Sequence, residues 1–217
     1  KASINSKEIK KNDIFFAIKG KKKDGNFYVD EAFKKGASIA IVNKIKNSNK
    51  KNKQIKVSDT LEFLTKSSKI VRENFDGRII AITGSCGKTS LKELLGNTIN
   101  KYSSATFSPK SFNNKYGVPL SLFNLNLNHK NGVFEVGMDK KGEIDFLSKI
   151  INPDIGVITN VSYAHAKNFK NINQIASAKS EIINNIKKDG SLVLNADDKF
   201  YNFHKKIGFK KNLKVYS

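Results

Sequence analysis

The sequence predicts an α/β protein in two parts, a small α/β domain followed by a doubly wound, mostly parallel sheet. Three observations predict it. Ile79-Ile80-Ala81-Ile82 is an almost unbroken β-branched run, as expected of a strand covered on both faces. It breaks into Thr83-Gly84-Ser85-Cys86-Gly87-Lys88-Thr89 before helical spacing resumes over 90–95. Comparable runs recur at 133–137, 154–160 and 191–194, alternating with helical stretches. Asp76-Gly77 marks a boundary between domains at 1–76 and 77–217, and 217 residues leave room for two cores.

In the first domain Ile14-Phe15-Phe16-Ala17-Ile18 is a strand, followed by a basic, glycine-bearing turn. A helix fits 28–35, stopped by Gly36, and 38–42 is a second strand. Residues 43–53 are lysine and asparagine with little else, so they read as a solvated loop, and 55–57 adds a strand. Asp59 with Glu62 caps a helix whose buried side carries Leu61, Leu64, Ile70 and Val71.

In the second domain Gly84 and Gly87 let backbone N–H groups close on phosphate oxygens at a helix N-terminus. Lys88 can reach terminal phosphates, and the Thr89 hydroxyl can hold Mg2+. The longer G-x-x-x-x-G-K-[ST] spacing would need glycine at Ile82, so this is a shorter G-x-x-G-K-T loop. The competing reading is an ordinary helix start after a turn. Asn113 and Asn114 sit in a polar loop, Ser108 to Leu120, that either holds substrate or phosphate or forms a capping turn.

Glu135 interrupts the apolar run from Val133 to Gly137, where a buried carboxylate needs a cation, either Mg2+ or a lysine. His165 follows the 154–160 strand, and Asn195 follows the 191–194 strand, both at the edge where open α/β sheets gather their ligands. A lone histidine is also commonly structural. In the helix marked by Ile172, Ile175, Ala176, Ile182, Ile183 and Ile186, the position completing the spacing is Lys179, which therefore points to the core. Burial lowers an amine's pKa, and a neutral amine near Mg2+ can take up CO2 as a carbamate. A snorkelling or carboxylate-paired lysine fits the pattern as well.

The net charge of +21 raises the possibility of nucleic-acid binding. The bases are nearly all lysine, with Arg72 and Arg78 the only arginines, and they are scattered without interleaved stacking aromatics. Weak, salt-sensitive adhesion to nucleic acid is expected, and no specific complex. Cys86 is the sole cysteine, which excludes an internal disulfide and suits a reducing cytoplasm. No apolar run approaches the roughly 18 residues of a membrane span. The chain opens on Lys1 and its only methionine is Met138, so a fragment of a longer protein is expected.

Six segments in this order resemble the Mur ligase family: Thr83 to Thr89, Asn113-Asn114-Lys115-Tyr116-Gly117-Val118-Pro119-Leu120, Glu135-Val136-Gly137-Met138 with Gly142-Glu143-Ile144, Asn160 with Ala164-His165, Ala178-Lys179-Ser180-Glu181-Ile182, and Leu194-Asn195-Ala196-Asp197-Asp198. The second and third are similar to members that join D-alanyl-D-alanine to UDP-N-acetylmuramoyl-tripeptide. The resemblance implies an amino-terminal UDP-binding domain using Ser6, Lys7, Lys19, Gly20, Asp24 and Asn26, with Lys7 standing where the family usually has arginine. It implies a central P-loop ATPase domain, incomplete here, and a third domain beyond the chain, so that this chain alone is expected to be inactive.

ATP would be held by Gly84, Ser85, Cys86, Gly87, Lys88, Thr89, Ser90, Asn113, Asn114 and Asn195. One Mg2+ would sit at Thr89 and Glu135, a second at His165 and a carbamylated Lys179, and Lys88, Glu135, His165 and Lys179 would be catalytic. The implied reaction forms an acyl phosphate on the peptide carboxylate, which the incoming amine converts to an amide. A cytoplasmic monomer is implied. The alternatives are a relative that adds diaminopimelate or lysine, one that adds glutamate to folate and, in another class, a nucleic-acid-binding P-loop protein.

Overall fold

Strands pair only in parallel among the described residues, in two separate sheets. The computed structural model describes residues 1–20, 23–47, 50–163 and 168–217. The chain divides into two units, Lys1–Val71 and Arg72–Ser217.

The first unit orders its sheet β1 (Ala2–Ser3), β2 (Ile14–Phe16), β3 (Ile39–Val42) and β4 (Gln54–Lys56), as in the sequence. Helix α1 (Val29–Lys34) buries Val29, Ala32 and Phe33, an i, i+3, i+4 stripe, against Phe15, Ala17, Ala40 and Val42. Gly36 ends it at φ +106°, a left-handed turn that glycine adopts freely. The lysine-rich 43–53 stretch is braced by Gln54, whose buried amide exchanges two 2.9 Å hydrogen bonds with the Lys46 backbone. The ladder of β4 with β3 starts at Gln54, opposite Ala40, one residue before Ile55. Helix α2 (Thr60–Glu73) follows, with Asp59 accepting from Leu61 and Glu62 amides at its start.

The division falls at 71/72, within the last turn of α2 and a few residues before Asp76-Gly77. Arg72, the first residue of the second unit, is buried and donates to the carbonyl oxygens of Phe75, Ile151 and Asn152 within that unit.

The second unit contains β5 (Arg78–Thr83), α3 (Lys88–Tyr102), β6 (Ala105–Phe107), α4 (Gly117–Phe123), β7 (Asn131–Glu135), α5 (Glu143–Ile151), β8 (Ile155–Ile158), α6 (Ile172–Asn184), β9 (Ser191–Leu194), α7 (Tyr201–Lys210) and β10 (Lys214–Tyr216). The sheet order is β10-β9-β8-β5-β7-β6. Only the step from β5 to β6 moves toward the β6 edge, and every later step moves back across the sheet. Right-handed crossovers then place α3 on one face and the other helices on the opposite face. Accordingly, Leu91, Leu95 and Ile99 of α3 cover Ile80, Ile82, Val133 and Val157. Contacts of α5 and α6 with β5 and of α7 with β9 lie on the side of Gly156 and Leu192.

Chain direction reverses between β5 and β8, so the crevice beyond their carboxyl ends is where this topology holds a ligand. Several elements were not anticipated from the sequence, namely β1, β6, α4, α5, α7 and β10. The strands are two or three residues long, too short to show a period.

Candidate active site

The loop after β5 opens at Gly84 with φ +148°, and a Cβ there would lie 1.8 Å from Thr159 Oγ1, so only glycine lets β5 and the loop after β8 approach this closely. Beyond it the two loops are joined. The Ser85 amide donates to Asn160 O, the Cys86 amide to Asn160 Oδ1, Thr159 Oγ1 to Cys86 O and the Ser162 amide to Ser85 Oγ. The Ser85 and Cys86 amides are therefore engaged within the protein, contrary to the expectation of an open cradle along the whole loop. The open part is the start of α3. Its first residue follows Gly87 at φ +79°, and its first-turn N–H groups receive no side-chain cap. These donors, at the positive end of the helix dipole, form an anion site. Lys88 Nζ lies across the loop, donating to Gly84 O at 2.8 Å and Ser85 O at 3.2 Å, while Ser90 is exposed on the next turn.

On the β7 side, Thr89 Oγ1 donates to Glu135 Oε2 at 2.7 Å, and Asn113 Nδ2 donates to Glu135 Oε1 at 2.6 Å. Glu135 is 1% exposed and has no ion pair among the described residues. The lysine partner considered for it is absent there. A buried carboxylate beside a hydroxyl at an anion site is an oxygen donor set that fits Mg2+, which commonly takes one or two protein oxygens and completes its shell with phosphate and water. Among the described residues no cluster of three or more His, Cys, Asp or Glu side chains exists, so any metal here relies on such a sparse set. Asn114 does not share the role of Asn113. It is exposed, and its Oδ1 accepts from the Tyr116 and Gly117 amides at 3.0 Å, a capping turn at the start of α4.

On the β8 side, Lys179 of α6 is 1% exposed, and among the described residues its Nζ has no hydrogen-bond or ion-pair partner. It is neither snorkelling nor carboxylate-paired there. Burial, and secondarily the charge of Lys88, push its pKa down to about 7, against a smaller opposing effect of Cys86. His165 lies outside the described residues. Asn195 stands at the end of β9 with its carboxamide turned into its own loop, accepting from the Asp197 amide. Asp198, not singled out beforehand, bonds the Val161 amide at 2.7 Å and ties this loop to the one after β8.

A cleft of about 610 Å3 adjoins Lys88 and Asn113, walled by Tyr116, Met138, Phe146 and Leu147 and rimmed by Lys115, Lys140 and Lys141. Gly142 of its lining is held by Glu181, whose carboxylate accepts from the Gly142 and Asp145 amides at the start of α5.

Besides Asp198, two residues escaped the sequence reading. Glu181 was visible only as part of a motif. Lys92, completely buried in α3, carried no signal beyond lying four residues after Lys88.

In the first unit, Ser6 donates to Glu31 at 2.7 Å, and Asp24 accepts from the Asn26 amide and side chain, an arrangement that lowers the Asp24 pKa. Asn26 Oδ1 is buried with no hydrogen-bond partner among the described residues. Lys7 and Lys19 are exposed, and Gly20 N bonds Lys23 O.

Family models match this arrangement over almost the whole chain, the Mur ligase family catalytic domain at residues 2–72 and the Mur ligase middle domain at residues 82–217. The chain belongs to the Mur ligase family. Among Mur ligases, it is 39% identical over 212 residues to the UDP-N-acetylmuramoyl-tripeptide--D-alanyl-D-alanine ligase of Rickettsia prowazekii, covering 98% of this chain and 46% of that one. The crystal structure of MurF from Acinetobacter baumannii is 31% identical with a TM-score of 0.86, covering 99% of this chain and 47% of that one. MurF from Thermotoga maritima, solved in complex with ADP, is 32% identical with a TM-score of 0.82, covering 99% and 49%. The chain spans about half the length of the curated relatives it matches. No helix among the described residues is long and apolar enough to cross a membrane.

Proposed function

We propose that this chain supplies the UDP-substrate-binding (1–76) and ATP-binding (77–217) portions of a cytoplasmic ligase that joins D-alanyl-D-alanine to UDP-N-acetylmuramoyl-tripeptide. The observation that carries it is the Thr89–Glu135–Asn113 corner beside Lys88, at the open start of α3. It sits in a chain whose relatives carry that name.

The α3 amides hold the nucleotide's phosphates, and Lys88 swings from the loop carbonyls to its terminal phosphate. Thr89 and Glu135 hold Mg2+, whose charge offsets the repulsion between polyphosphate and an approaching carboxylate. The cationic, apolar-walled cleft orients the peptide carboxylate toward Lys88. A carboxylate oxygen displaces ADP from the γ-phosphorus. The amine of the dipeptide then attacks the acyl carbon, losing a proton as phosphate leaves and the amide forms. Lys179, whose pKa burial lowers to about 7 so that a neutral fraction exists at neutral pH, is the acceptor for CO2, and its carbamate with His165 would hold a second Mg2+. Asn26, Asp24, Ser6, Lys7, Lys19 and Gly20 serve the UDP group, the unpartnered Asn26 Oδ1 being free to accept from it. A monomer suffices, because the donors named all lie in one chain.

The test is phosphate release by the full-length protein. Release is expected with UDP-N-acetylmuramoyl-tripeptide plus D-alanyl-D-alanine, and not with dipeptide precursor plus diaminopimelate. Stimulation by DNA alone would overturn the ligase reading. In the same assay Lys179→Ala is expected to abolish turnover and short carboxylates to restore part of it. Full activity of that variant would end the carbamate assignment.

A further inference from the structure

Lys92 is fully buried in the first half of α3, a costly position for an ammonium unless every donor is satisfied. An ammonium has three donors, and here there are three acceptors: Ser108 O at 2.6 Å, Lys110 O at 2.6 Å and Glu93 Oε1 at 2.7 Å. The two carbonyls belong to the loop leaving β6, which turns at Lys110 with φ +50°. Four residues after Lys92, Gly96 leaves room for Phe107, so the helix and the loop meet closely along this seam.

The same loop runs into the metal corner. Ser108 Oγ accepts from the Glu135 amide, the Asn113 amide donates to Ser111 O, the Gly137 amide donates to Asn113 O, and the Asn113 side chain holds Glu135 Oε1. Glu135 Oε2 returns to Thr89, one turn before Lys92 on the same helix. The contacts close a ring: α3, loop, Glu135, α3.

We infer that Lys92 is a positioning residue for the metal corner, fixing the β6–α4 loop to α3 so that Asn113 holds Glu135 against Thr89. It touches neither phosphate nor metal. This rests on the reading of Thr89 and Glu135 as the Mg2+–nucleotide site. Removing the ammonium takes a donor from the buried Ser108 carbonyl and from the Lys110 carbonyl and loosens the loop, and loss of such an outer support typically weakens metal binding by about 10- to 100-fold.

The test is calorimetric binding of ADP to the 217-residue chain, with Mg2+ and with EDTA, for wild type, Lys92→Met and Lys92→Arg. For Lys92→Met the gain in ADP affinity conferred by Mg2+ is expected to fall about tenfold or more. Affinity in EDTA, which depends on the α3 amides and Lys88, stays within about threefold. Lys92→Arg, which keeps a cation in the seam, retains folding if Met does not, and is expected to lose part of the Mg2+ gain. Equal losses with and without Mg2+ in a folded variant would make Lys92 a general support of the fold and overturn the proposal. So would an unchanged Mg2+ gain. If wild type itself binds ADP with no gain from Mg2+, the metal reading of Thr89 and Glu135 fails first, a result distinguishable from either.

Discussion

The two flanks of the phosphate loop are built on opposite principles. Toward β7, each polar side chain of the metal corner has a partner: Glu135 has Thr89 and Asn113, and the buried Lys92 has three acceptors. Toward β8, an equally buried lysine, Lys179, has no hydrogen-bond partner among the described residues. Desolvation drives Lys179 down to about 7 because no carboxylate opposes it there. A satisfied corner keeps one geometry before any ligand arrives. An unsatisfied amine stays open to chemistry at neutral pH.

The largest effect that would break this comparison is at the seam between the flanks. Gly84→Ala places a methyl group inside Thr159 at a backbone angle that side chains rarely adopt, and is expected to destabilise the second unit by about 3 kcal/mol or more. Denaturant unfolding checks this, and an unchanged midpoint would mean the two loops are not locked together.

Lys179→Met sharpens the contrast through pH. At pH 6 Lys179 is charged in folded and unfolded chains and bears the full burial penalty. As pH rises through 7 the folded lysine releases its proton, while the unfolded one keeps it to near 10.5, so the unfolded state binds more protons and wild type gains stability. Met has no such slope. The stability advantage of Met over wild type is expected to shrink by roughly 2–3 kcal/mol between pH 6 and 9. A difference independent of pH would show that Lys179 is not held near 7.

The smallest effect separates the paired asparagines. Asn114→Ala removes a cap from α4 and is expected to cost about 1 kcal/mol of stability. Asn113→Ala is expected to reduce instead the gain in ADP affinity conferred by Mg2+. Identical behaviour of the two variants in both measurements would erase the distinction between capping turn and metal corner.

Local spacing in the sequence determined the parallel α/β class, the strand–loop–helix at Ile79 to Thr89 and the inward face of Lys179, because strand and helix periods and glycine placement act over a few residues. Glu135 was legible as a buried carboxylate, but its partners were not. Thr89 lies 46 residues away and Asn113 lies 22 away, and they meet only because β7 pairs beside β5. Lys92 was passed over inside the helical stretch at 90–95. Only the tertiary structure decided its burial, because Gly96 and the two loop carbonyls that accommodate it come together through the packing of α3 on β6 and not through any local pattern. The tie between the loops after β5 and β8 had the same origin. A strand order that reverses beside β5 brings Asn160 to Ser85 and Cys86, and no spacing along the chain encodes that neighbour.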